Sequence, residues 1–235
     1  DPYHGGGNHL PDIVIAAPAF AGEKLVGWIA NIAHHSDIGG KVPGSTSGDA
    51  DSLFQEGTRI PVIRIRENDK LIPSVMDLLL DNTRVPQERE GDLTAQMSAN
   101  LIGIQRIQEA YARYSDVLLD CMEELVAYSE RRVRAVVSTL PDGEYCYTDY
   151  VDGCGDKYPD PLPIKVKVTV AGDDLTVDFT GTASQIKAPI NVPYPCTKAA
   201  VFFSVKALMG DDIPANEGIN RAIKILAPKG CIVNP

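Results

Sequence analysis

Residues 92–138 place apolar side chains at intervals of three and four. Leu101, Ile104, Ile107 and Tyr111 mark one face, and Val117, Met122, Leu125 and Val126 mark a second stretch. A 3.6-residue period sustained over such a span demands one long helix, or two joined near Tyr114 and Ser115. Asp92 is a suitable N-cap, and Pro141-Asp142-Gly143 ends the run.

The flanking sequence is β-rich. "DIVIAAPAF" and "KLVGWIANIA" read as two strands separated by a turn at "AGE", and "GTRIPVIRI" as a third, which Pro61 confines to an edge or a start. Between them "GGKVPGSTSGDADS" is small, polar and rich in glycine, the composition of a surface loop. Beyond the helical run, "EYCYTDYV", "PIKVKVTVAGDDLTVDFTGTA" and "RAIKILAP" read as strands, with a hairpin turn at Gly-Asp-Asp. "CTKAAVFFSVKALMG" reads as a further helix stopped by Gly210. The expectation is an α+β fold with mixed sheets and a long helix or helical pair over about 92–138. It divides into a β-rich region with a glycine-rich loop (1–90), a helical segment (91–140) and a β-rich region with one helix (141–235). The chain opens on Asp1 inside a dense polar motif and stops at "GCIVNP", so it is expected to be a piece of a longer polypeptide.

The 22 Lys and Arg residues against 32 Asp and Glu give a net charge of −10, with no basic cluster, which argues against a nucleic-acid partner. No apolar stretch is long enough to span a bilayer. The five cysteines include no Cys-x-x-Cys pair, in keeping with a reducing, cytoplasmic setting. Phosphate-binding loops of the G-x-x-x-x-G-K-[ST] type, complete G-x-G-x-x-G turns, His-Glu-x-x-His and G-x-S-x-G are absent.

All four histidines fall within the first 35 residues. His9 and Asp12 stand three apart in "HLPD", where Pro11 excludes a helix interior and Gly5, Gly6 and Gly7 allow tight folding just upstream. His34 and His35 end the second strand. Side chains alternate along a strand, so only one of the two readily joins His9 and Asp12. Two imidazoles and a carboxylate with open positions suit Zn, Mn or Fe(II). Histidines beside glycine-rich turns also serve simply as backbone hydrogen-bond partners. Asp37 and Asp49 equally suit turn capping.

"DPYHGGGNHLPD", "ANIAHHSDIGG", "PGS", "QEGTRIP" and "DNTRVPQEREGDLTAQMSAN", in this order, resemble the hydantoinase B/oxoprolinase family. The resemblance implies a metal site at His9, Asp12 and His34, with His35 beside it, orienting a ligand or contacting substrate. It implies that Gly39 and Gly40 let backbone approach the substrate, and that Asp37 or Glu56 accepts a proton from the attacking water. It further implies a hydantoinase A-like ATPase partner, as subunit or domain of a hetero-oligomer, which binds ATP and phosphorylates a cyclic amide for hydrolysis. The carboxylase branch of the same family, a metal-free structural subunit and an Fe(II) oxygenase are the alternatives. His4 has no assigned role.

Overall fold

A computed structural model describes residues 7–210 and 212–235, so His4 lies outside the described residues. The chain divides into two compact units, 1–119 and 120–235.

In the first unit, β1 (Asp12–Ala21) and β2 (Lys24–His34) form an antiparallel ribbon around a two-residue turn at Gly22 and Glu23. The register pairs Asp12 with His34 and runs to Ala21 opposite Lys24, with one bulge between Ala19 and Phe20. A two-stranded ribbon leaves a row of unpaired main-chain groups along each edge. Here the long helix supplies the missing partners. Short strands β3 (Arg66–Glu67) and β4 (Lys70–Leu71) and helix α1 (Pro73–Asp81) lead into α2 (Pro86–Tyr114). Gln96 Nε2 donates to Ile13 O at 2.9 Å, Asn100 Nδ2 to Ile15 O at 2.9 Å and Gln108 Nε2 to Phe20 O at 2.7 Å. Positions 96, 100 and 108 share one helical face, so amide side chains take the place of a third strand. Around them Ile15, Met76, Leu93 and Met97 make the apolar core.

The helical period is realised as two helices. α2 ends at Tyr114, Ser115 adopts φ 51°, and α3 (Asp116–Val137) follows. A left-handed serine cannot continue a helix, so the junction falls where the sequence suggested. α2 begins earlier than Asp92, at Pro86, whose missing N–H costs nothing in the first turn. "GTRIPVIRI" is not a strand. Residues 57–65 are irregular, Pro61 has no amide hydrogen to donate, and Val62 is 96% exposed, so the alternation has no sheet to face.

In the second unit, β5 (Gly143–Val151), β6 (Leu162–Ala171), β7 (Asp174–Asp178) and β8 (Ile223–Leu226) form one sheet in that order. The first three are antiparallel and β8 is parallel to β7. The turn between β6 and β7 falls at Gly172 and Asp173. Val133 and Val137 of α3, Val201 and Val205 of α4 (Tyr194–Leu208), and Ile219 of α5 (Glu217–Arg221) pack with Val170, Leu175 and Val177 of the sheet. α5 crosses α3 at Gly218, where a β-carbon would stand 2.1 Å from Val126 O and 2.8 Å from Glu130 N. Among the described residues no helix is long and apolar enough to cross a membrane.

Because both obstacles at Gly218 are main-chain atoms, side-chain repacking cannot relieve them. Gly218→Ala is expected to cost about 2 kcal/mol or more, measured as a lower thermal or urea midpoint. An unchanged midpoint would show that the α3–α5 crossing yields easily.

Candidate metal centre

The turn His9-Leu10-Pro11-Asp12 folds His9 back over the start of β1. Asp12 N donates to His9 O at 3.1 Å, and Leu10 and Pro11 are buried beneath it. His35 N donates to Pro11 O at 2.9 Å, extending the ribbon by one step beyond the Asp12–His34 pair. Directly opposed residues share a face. His9, Asp12 and His34 therefore converge at the open end of the ribbon.

Their ligand atoms form a near-equilateral triangle. His9 Nε2 to Asp12 Oδ1 is 2.9 Å, His34 Nδ1 to Asp12 Oδ1 is 3.0 Å, and His34 Nδ1 to His9 Nε2 is 3.1 Å. Three electron-pair donors this close repel one another unless a proton or a cation lies among them. A tetrahedral ion with bonds of about 2.0–2.1 Å sets its ligands about 3.3 Å apart, so a slight opening of the triangle admits one. His34 is 56% exposed and Asp12 18%, leaving one side open to a water or substrate. The donor set fits a catalytic divalent ion with free coordination positions.

His35 turns to the opposite face of β2 and is fully buried. Its Nε2 meets Gln96 Oε1 at 2.9 Å, while Nδ1 has no hydrogen-bond partner and stands 3.8 Å from Asp92 Oδ2. The ring is thus sealed under α2 against Gln96, on the side of the strand away from the His34 ring. Gln96 thus grips the neighbours of two residues of the triangle at once: Ile13 O next to Asp12, and His35 next to His34. It also donates to Asn31 Oδ1 at 2.8 Å, while Asn31 Nδ2 donates to Gln96 O at 2.8 Å and to Asn100 Oδ1 at 2.9 Å. Sequence reasoning missed this seam. Its one signal was the phase of Gln96 and Asn100, which matches that of Leu93 and Met97.

The loop after His35 is tightly bound rather than a simple surface excursion, with Ser45, Ser47 and Ala50 buried. Asp37 is its hub. Its carboxylate accepts from Gly39 N (2.9 Å), Gly44 N (3.0 Å), Arg84 N (3.1 Å) and Arg84 Nη1 (2.9 Å). Arg84 also donates to Gly40 O at 2.7 Å and Val42 O at 3.2 Å. Burial pushes the Asp37 pKa up, but the Gly39 and Arg84 amides, the Arg84 guanidinium and the Gly44 amide together hold it down, to about 2. A carboxylate so engaged is a weak base. Gly39 and Gly40, at φ +89° and +81°, face the chain's own backbone. A β-carbon would lie 2.7 Å from Asn82 O at Gly39, and 2.7 Å from Gln55 O at Gly40. That close approach by itself excludes a side chain at either position. Glu56 is different. It is half-buried, burial raises its pKa, and the charge of His9 pulls it partly back, so it lies within electrostatic reach of the triangle.

Asp37 carries the acid sensitivity of this unit. Its depressed pKa stabilises the fold above its ordinary value of 3.8, and that contribution is lost as pH falls through about 2. Asp37→Asn should lower stability at pH 7 by about 2 kcal/mol and flatten the loss between about pH 4 and 2. Urea unfolding across that range would detect it, and an unchanged acid limb would refute the assignment.

The family model for hydantoinase B/oxoprolinase matches residues 1–235. The B-type component of a putative D-/L-hydantoinase from a Pseudomonas species is 39% identical over all of this chain, which covers 41% of that protein. The crystal structure of ATP-dependent caprolactamase from Pseudomonas jessenii superposes with a TM-score of 0.93 at 30% identity, over 100% of this chain and 40% of that one. The nucleotide-free structure of acetone carboxylase shares the fold, with a TM-score of 0.89 at 18% identity over 97% of this chain and 32% of that one. The chain therefore spans about two-fifths of the length of the hydantoinase relative. With its full length matched by the family model and its fold matched by a caprolactamase, the chain belongs to the hydantoinase B/oxoprolinase family.

Proposed function

We propose that the chain forms the hydrolytic part of an ATP-dependent cyclic amide hydrolase, acting on a hydantoin, 5-oxoproline or another lactam. The observation that carries this reading is the convergence of His9, Asp12 and His34 within about 3 Å of one another at an open edge. The names of the relatives, a hydantoinase component and an ATP-dependent caprolactamase, support the reaction class. That the hydantoinase relative is named as one subunit of its enzyme supports a partner, an A-like subunit or domain that binds ATP.

An unstrained amide resists water because its nitrogen is a poor leaving group. Phosphorylation of the carbonyl oxygen by the partner converts that oxygen into a leaving group. Water then adds to the carbon, the C–N bond of the tetrahedral intermediate breaks with proton transfer to the departing amine and leaves an acyl phosphate, and a second water hydrolyses that acyl phosphate to a carboxylate and inorganic phosphate. His9, Asp12 and His34 would hold a divalent ion, whose contribution when bound is to acidify water and polarise the substrate oxygen. Glu56 accepts the proton of the attacking water on its carboxylate. Its pKa, raised by burial, suits that role better than the depressed pKa of Asp37. The Asp37–Arg84 pair ties the loop that leads to Glu56 to the segment that precedes α2. The likeness to acetone carboxylase extends to the fold alone and favours no carboxylation step here.

Two measurements test this reading. Elemental analysis after dialysis should find a divalent ion retained by the wild type and lost from His34→Ala, with His35→Ala retaining more. In the full-length chain with its ATPase partner, His34→Ala should abolish product while ATP hydrolysis persists, as the activated intermediate decays unproductively. Glu56→Gln should slow product formation by about 100-fold or more and leave the bound ion in place. Wild-type product yield from His34→Ala would eliminate the reading.

A further inference from the structure

One face of the β1–β2 ribbon is packed and the other is bare. Ile15 and Ala19 are buried toward α2, and Ile29 lies against Gly103 of that helix, where a β-carbon would stand 2.6 Å from Ile29 Cγ2. The register sets the opposite face: Val14 against Ile32, Ala16 against Ala30 and Pro18 against Trp28, all of them exposed. Val14 is 58% exposed, Ile32 60% and Trp28 64%. The next pair toward the open end on this same face is Asp12 with His34, so the apolar strip runs directly into the His9–Asp12–His34 triangle.

A ribbon with one face in water alternates apolar with polar residues, whereas strands covered on both faces read as continuous apolar runs. Here exposure alternates along both strands and polarity does not: from Val14 to Pro18 and from Trp28 to Ile32, no outward position holds a charged, hydroxyl or amide side chain. A contiguous apolar strip that includes an indole marks an interface. The lack of any charge within it suits a permanent contact, because transient interfaces are more polar. Length supplies the occupant. These residues cover 41% of the hydantoinase relative and 40% of the caprolactamase chain, so about three-fifths of each relative's polypeptide lies outside the matched part. A tethered segment meets the ribbon at high effective concentration and outcompetes a free partner of equal affinity. We infer that the outward face of the ribbon seats the polypeptide that lies outside these residues in a family-length chain. That cover walls the metal centre on the side of Val14 and Ile32. The inference concerns how the centre is enclosed and does not depend on the reaction proposed above.

The test uses the full-length chain. Trp28 would be replaced by p-benzoylphenylalanine, an aromatic residue whose ketone cross-links under ultraviolet light to the group it touches, and the products would be mapped by mass spectrometry. The expected result is cross-links within one polypeptide, from position 28 to residues outside this 235-residue stretch. Cross-links to a second copy, to the ATPase partner or only to residues of the stretch itself would overturn the inference, and so would none at all. The wild-type chain supplies a check that needs no substitution. In hydroxyl-radical footprinting Trp28 should lose most of the oxidation it shows in the urea-unfolded chain, at every protein concentration and without the ATPase. Oxidation of native Trp28 at the unfolded rate, or protection that needs high concentration or the partner, would overturn the inference as well.

Discussion

The register of β1 against β2 underlies everything built at the open end of the ribbon. Asp12 and His34 meet because they are directly opposed, and a slip of one residue would turn His34 inward and His35 outward. A two-stranded ribbon in water does not hold such a register by itself. Here the amides of Gln96, Asn100 and Gln108 reach Ile13, Ile15 and Phe20 along the edge of β1. Helix α2 thereby serves as a rigid third strand whose teeth are side chains. The bulge between Ala19 and Phe20 changes the phase of the strand, which lets Gln108 still find a carbonyl on the same edge.

Polar residues in a core are costly unless all their groups are paired, and paired ones specify one arrangement. The seam of Gln96, Asn31 and Asn100 meets that condition, with each amide nitrogen donating and each amide oxygen accepting. His35 joins it from the strand. Positions adjacent to Asp12 and His34 are thus locked to a helix, while the His34 side chain itself stays open to solvent. This division gives a rigid support and an accessible face from the same few residues.

Charge is distributed by the same logic. Asp37 and Arg84 neutralise each other while organising a loop of tight glycine turns, so the carboxylate is held ionised and inert. Glu56 keeps a raised pKa beside His9. Arg89 is buried, its two terminal nitrogens lack a hydrogen-bond partner, and Asp92 supplies a favourable field.

The linear sequence determined the helical period, the one place where that period could break, the β1–β2 pair, the strands of the second unit and the confinement of the imidazoles to one end. Each rests on local rules of spacing, alternation and proline placement. The assignment of His9, Asp12 and His34 as a ligand set came from motif resemblance, and only the folded ribbon brings them within 3.1 Å. Tertiary structure alone decided that Asp37 is held by four amide and guanidinium donors, that Gly39 and Gly40 face Asn82 and Gln55, and that 57–65 has no strand to pair with. It alone drew Gln96 and Arg89 into the account. The physical reason is the same throughout. Periodicity records which face of an element is covered, but a hydrogen-bond partner or a close backbone approach depends on residues some tens of positions away, and nothing local encodes which of them arrives.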